Sequence, residues 1–154
     1  KGQFSPIWPD KSHLLVSGDA KALTISDLNN DGLPDFHVSV NAGRAMAFEA
    51  NPEQTNADQF LCLQLKGSEG NIDASGARVS LRGESMPTIT QQVSSGGGYL
   101  SQSSPRLFFP VGSLKGEALK ALEVLVHWPS GKQSTTKVGD LKERDGRYWI
   151  EVSP

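Results

Sequence analysis

From Ala22 onward, apolar and polar residues alternate in short runs, the period expected of strands that bury one face. "ALTIS" (Ala22–Ser26), "FHVSV" (Phe36–Val40) and "RAMAFEA" (Arg44–Ala50) are separated by a polar loop and by the turn "NAG". That order predicts a three-stranded meander. The polar stretch "NPEQTNAD", residues 51–58, is punctuated by Pro52 and reads as a linker. It divides the chain into an N-terminal unit, residues 1–52, and a C-terminal unit, residues 58–154. In the second unit, "FLCLQLKG" places Leu61, Leu63 and Leu65 on one face, and "GARVSLRG" alternates Ala77, Val79 and Leu81 with Arg78, Ser80 and Arg82. "TITQQV", "RLFFPV", "ALEVLVHW", "KQSTTKV" and "RYWIEV" continue the pattern. Pro110 confines "RLFFPV" to an edge or a bulge, because proline donates no ladder hydrogen bond. "WPSG" predicts a turn closing a hairpin between its two neighbours. "LKGEALKAL" is the sole helix candidate, one or two turns long. The expected fold is all-β: an antiparallel β-sandwich or barrel-like module preceded by one propeller-blade-like meander.

A chain of 154 residues is long enough to bury a substantial core. Lysines and arginines (15) nearly balance aspartates and glutamates (17), so no basic surface is available for a phosphate backbone and nucleic acid is excluded as an expected partner. No apolar run has the length of a membrane span. Cys62 is the single cysteine, which precludes an internal disulfide and suits a packed strand residue. A chain beginning at Lys1 rather than methionine suggests a processed or excised piece.

The polar loop of the meander changes the picture. In "DLNNDGLPD", Asp27, Asn29, Asp31 and Asp35 stand at positions 1, 3, 5 and 9. Alternate residues of a tight loop can direct oxygens to one hard cation such as Ca2+, with Gly32 at the bend and the carbonyl of Leu33 as a backbone ligand. Position 12 is Val38, so the bidentate glutamate of a helix-loop-helix hand is missing, and strands flank the loop instead of helices. An ordinary polar turn needs one or two such residues rather than four in this spacing. The expectation is a structural calcium loop of modest affinity, on the order of micromolar to millimolar.

Two resemblances accompany these patterns. The stretch "ALTISDLNNDGLPDFHVSVNAGRAMAFEA" resembles one FG-GAP/VCBS repeat, the calcium-bearing unit of integrin-type β-propellers. Gly76-Ala77-Arg78-Val79, Gly98-Tyr99-Leu100-Ser101-Gln102 and Trp128-Pro129-Ser130-Gly131 together resemble the ASPIC/UnbV domain, found after such repeats in cartilage acidic protein-like and bacterial secreted proteins. The chain departs from that domain's usual pattern at Phe108-Phe109-Pro110-Val111-Gly112 and at "NIDASGA". The resemblance implies a β-sandwich-like module appended to a propeller, extracellular, at the cell surface or periplasmic, with adhesive or binding roles and no transferable catalytic residue. It also implies preceding propeller blades, and residues 1–50 are expected to pack their apolar face onto the second unit or onto another copy of the chain.

Remaining candidates are weaker. In "SSGGGYLSQSS", Tyr99 and Gln102 could stack on and hydrogen-bond a sugar or peptide; the plainer expectation has Tyr99 and Leu100 packing inward. Trp128 is expected in the core and His127 in solvent, while Trp8 and Trp149 could be stacking groups or core. No G-x-S-x-G elbow occurs, and Glu69, Asp73 and Glu84 offer only a remote chance of a carboxylate pair. The expected function is a non-catalytic, calcium-binding recognition or assembly module with a protein or carbohydrate ligand at the cell surface. A carbohydrate-binding module is the alternative, and an accessory or catalytic domain of a hydrolase a third reading.

Overall fold

The computed structural model describes residues 3–51, 53, 60–144 and 147–151. Most of the proposed linker, residues 51–58, lies outside the described residues, as does the side chain of Trp149. A single helical turn, Pro9–Ser12, precedes the first strand. Strands β1 (Ala20–Ser26), β2 (Asp35–Val40) and β3 (Met46–Phe48) then form a three-stranded antiparallel sheet in chain order, the meander that the alternation predicts. The register pairs Leu23 with Val38 and Ile25 with Phe36, and β3 adds Met46 opposite Val38 and Phe48 opposite Phe36. Directly opposed residues share a face, so these six side chains make one apolar surface and Thr24, His37 and Ala47 the other.

The second part is a sandwich of two four-stranded sheets. One contains β4 (Phe60–Lys66), β7 (Leu107–Pro110), β10 (Lys142–Arg144) and β11 (Arg147–Glu151), in the order β10-β11-β4-β7. The other contains β5 (Arg78–Gly83), β6 (Met86–Gln92), β8 (Glu123–His127) and β9 (Gln133–Lys137), in the order β6-β5-β8-β9. Leu61, Leu63, Leu65, Leu107 and Phe109 from the first sheet meet Val79, Leu81, Val124 and Val126 from the second in one buried cluster. The strand β7 is an edge, as Pro110 requires, and a helical turn at Gly116–Lys120 occupies the predicted helical site. Trp128, Gly131 and Lys132 close the β8–β9 hairpin through backbone hydrogen bonds of 2.9 Å. One pairing departs from the expected antiparallel pattern: β11 lies parallel to β4, with Arg147 opposite Cys62. Tyr148, on that strand, holds its hydroxyl proton more tightly than usual, first because it is partly buried and second because Glu143 is near.

The two parts meet at a short strap. Ser103 and Ser104 run along the outer edge of β1: the Ile25 N–H donates to Ser103 Oγ at 3.0 Å, and the Ser104 N–H donates to the Ile25 carbonyl at 2.9 Å. The strap thereby covers an edge that would otherwise present unpaired backbone groups. Beneath it lies a cavity of about 480 Å3 lined by Ile25 and Phe36 from the small sheet and Phe60, Val93, Leu107 and Phe108 from the sandwich. Ile25 and Phe36, on the apolar surface of the meander, thus line this cavity together with sandwich residues, while Leu23 stays half exposed.

Candidate functional site

The antiparallel register sets Asp35 opposite Ser26, so the loop between β1 and β2 begins at Asp27 and returns at Asp35 with both side chains at its base. Both are buried, at 4% and 0% exposure, the two buried charged residues among the described ones. Gly32 takes φ +85°, a left-handed conformation that glycine adopts without strain, and this lets the chain double back within the loop. Leu33 is buried and anchors the loop on its apolar side.

The oxygens of the loop are organised by backbone donors. Asp27 Oδ1 accepts the Asp31 N–H at 3.0 Å and Oδ2 accepts the Gly32 N–H at 3.2 Å. Asn29 Oδ1 also accepts from the Asp31 N–H at 3.1 Å, while Asn29 Nδ2 donates to Asp31 Oδ2 at 2.9 Å. Asp31 Oδ1 accepts the Leu33 N–H at 2.8 Å. Asp35 spans the loop and the strand beyond, with Oδ2 accepting from the Leu28 N–H at 2.6 Å and Oδ1 from the Ala50 N–H at 2.8 Å. Among the described residues no three histidine, cysteine, aspartate or glutamate side chains form a ready-made metal cluster.

A residue that the sequence did not point to completes the site. Arg106, at the end of the strap, places Nη1 3.0 Å from Asp27 Oδ2 and 2.9 Å from the Asp27 carbonyl, and Nη2 3.3 Å from Asn30 Oδ1. The side-chain exposures of the ion pair are 17% for Arg106 and 0% for Asp27, so it is far better shielded than the surface pairs Lys21–Asp19 and Arg82–Glu123. Nothing local in "SSPRL" marks Arg106 for this role. The one clue was electrostatic: three carboxylates gathered in nine residues require positive charge from somewhere.

Among the described residues, the loop oxygens are engaged with backbone N–H groups and with Arg106 rather than gathered as a metal-holding group. Asp27, Asn29, Asp31 and Asp35 are oxygen-bearing side chains on one loop, the donor type that a hard divalent cation takes. Asp35 is fully buried, accepts two N–H groups, and faces no cationic side chain among the described residues.

The other predicted positions fare differently. Tyr99 and Leu100 do not pack inward: they are 73% and 83% exposed at the tip of a tight bend whose stems, Gly98 and Ser101, are bridged. A bend that closes over so few residues has no interior for them, and Gln102 beside them is exposed as well. Trp128 is buried with Nε1 donating to Ser134 Oγ at 2.9 Å, whereas Trp8 is 68% exposed and His127 lies in solvent. Cys62 is buried within β4. Glu69 and Asp73 are exposed in the loop after β4, and Glu84 is exposed in the β5–β6 turn. A hollow of about 710 Å3 beside Arg82, Glu84, Leu122 and Lys137 lies in the sandwich, lined by residues of the β5–β6 turn and the Gly116–Lys120 turn rather than by the acidic loop. No helix among the described residues is long and apolar enough to cross a membrane.

The sequence model of the family described as ASPIC and UnbV matches residues 67–143, half of the chain. No curated protein matches the chain. The matched region runs from the loop after β4 to β10, and the first and third sequence motifs noted above are part of its framework: Ala77 and Val79 are fully buried, and Arg78 pairs across strands with His127, next to Trp128. The run Phe108–Gly112 that departs from the usual pattern includes Phe109 and Val111, both core residues here.

Proposed function

The chain belongs to the ASPIC and UnbV family, and from that premise we propose that it is a non-catalytic, calcium-binding recognition or assembly module of an exported protein. Residues 1–52 act as an FG-GAP/VCBS-like unit and residues 58–154 as the ASPIC/UnbV unit, with Ca2+ held by Asp27, Asn29, Asp31, Asp35 and the Leu33 carbonyl. The observation that carries this reading is the fully buried Asp35 carboxylate at the base of a loop that also bears Asp27, Asn29 and Asp31. Calcium stabilises the small sheet by mass action: a ligand that binds only the folded loop raises stability in proportion to the logarithm of its concentration above Kd. Asp31→Ala is expected to leave the melting temperature in chelator nearly unchanged and to abolish the rise seen on adding millimolar calcium. Equal losses under both conditions would count against a bound cation. The ligand of the module as a whole is a protein or carbohydrate at the cell surface.

The exposed tip favours a second reading, carbohydrate binding, because Tyr99 offers an open aromatic face beside Gln102. In that case oligosaccharide titration changes the tyrosine and tryptophan fluorescence of the wild-type chain but not of Tyr99→Ala. Silence across a broad glycan panel leaves protein–protein assembly as the function.

A further inference from the structure

We propose that the cavity beneath the strap is a docking site for the N-terminal arm of a second copy of the chain, so that two copies pair by exchanging arms. The arm is "FSPIWP", residues 4–9. It carries its apolar side chains in the open: Phe4 is 100%, Ile7 72% and Trp8 68% exposed, and the helical turn Pro9–Ser12 contains no buried residue. Pro6 and Pro9 fix two of its φ angles, and Trp8, at φ −78° and ψ 158°, has the polyproline II conformation. Such a segment makes no internal hydrogen bonds and loses little entropy on binding. Among the described residues, no backbone hydrogen bond engages Phe4, Ser5, Pro6 or Ile7.

The cavity, about 480 Å3, has the walls that such a segment fits. Phe36, Phe60 and Phe108 are its aromatic faces, with Pro34, Pro105 and Leu107 beside them, and no arm residue is among the described residues that line it. Aromatic-lined grooves are where extended, proline-bearing segments dock. Ser104, also in the lining, has an Oγ shielded from solvent and without a hydrogen-bond partner among the described residues. A free carbonyl of the arm would accept from it after a turn about χ1, removing the cost of an unpaired hydroxyl. Strand β1 begins at Ala20, whereas Ile25, at the cavity, lies five residues on, roughly 16 Å along an extended strand. A chain's own arm would have to double back to enter; a partner's need not. Phe4, Ile7 and Trp8 bring roughly 500 Å2 per arm, at about 150–250 Å2 for each aromatic. Two arms and the walls they cover then bury on the order of 1,600–2,000 Å2, the area of a stable interface. Reciprocal exchange closes a two-fold dimer with both cavities filled. This gives the assembly reading a partner and does not depend on a cation.

Sedimentation equilibrium of the full chain in chelator tests this with wild type, Trp8→Asp and Gln92→Trp. Gln92 is exposed and lines the cavity, so a tryptophan there obstructs it from outside. Wild type is expected to dimerise with a Kd on the order of micromolar. Each variant should weaken dimerisation at least about thirtyfold, the loss typical of a buried tryptophan anchor. An equimolar mixture of the two variants should recover part of the association, because the intact arm of Gln92→Trp meets the open cavity of Trp8→Asp. A wild type still monomeric at about 100 μM, a variant as dimeric as wild type, or a mixture no more associated than its components overturns the proposal. Should Gln92→Trp fail to fold, wild type against Trp8→Asp, whose change lies in the exposed arm, still decides. A monomeric wild type leaves the calcium reading and recognition of other proteins standing.

Discussion

Phe109→Ala is expected to destabilise the protein by about 3–5 kcal/mol, the cost of deleting a large aromatic from a packed interior and leaving a void behind. Phe109 has no exposed surface and belongs to the cluster that joins the two sheets of the sandwich. It lies on an edge strand, β7, held to the sheet by β4 alone, with Leu61 directly opposite. The backbone there has freedom to shift, so partial collapse of the cavity should keep the loss within that range. A domain of this size is stable by only about 5–15 kcal/mol, so the variant gives up a large share of its margin. Urea denaturation checks this: the midpoint should fall sharply with an unchanged slope. A loss below about 1 kcal/mol would show that the sandwich repacks around the gap.

Asp27→Ala should cost about 3 kcal/mol, but locally. The substitution removes the acceptor for the Asp31 and Gly32 N–H groups and strands the Arg106 guanidinium. Removing one member of a buried ion pair typically costs about 3–5 kcal/mol. The lower end applies because Arg106 retains some exposure and can turn outward, keeping part of its hydration. The effect should be confined to the strap and the small sheet, whose described residues lie outside the buried cluster of the sandwich. Hydrogen exchange separates the cases: protection should fall across β1 and β2 and persist in β5 and β8. Uniform loss of protection would mean that the two parts unfold together.

These two variants divide the molecule along the line between what local sequence could and could not reveal. The meander, the acidic loop and the β8–β9 hairpin were legible because each rests on contacts between near neighbours: alternation sets the faces, and Gly32 and the Trp128–Gly131 turn set the reversals. The buried face of β8, Leu122 through Trp128 on alternate residues, followed from the same rule. The partner of Asp27 was not legible, since an ion pair between residues far apart in the chain leaves no local trace. The parallel placement of β11 against β4 escaped for the same reason, because pairing direction depends on how distant strands return. Tyr99 and Leu100 misled for another reason. Composition marks them as core formers, but the bend that carries them is too tight to enclose anything.

The parallel pairing also bears on how the chain acquires its shape. β4 is the first strand of the sandwich to be made, yet one of its two flanks is filled by β11, about 85 residues later, and such distant closures are slow because loop entropy must be lost before contact energy is gained. Until then β4, with Leu61, Cys62, Leu63 and Leu65, would present a sticky open side, while the β5–β8–β9 sheet could assemble from nearer pieces. Maturation of the sandwich should therefore end with a zippering of its last strand onto its first, and shortening the chain before Arg147 should yield an association-prone intermediate rather than a smaller stable fold.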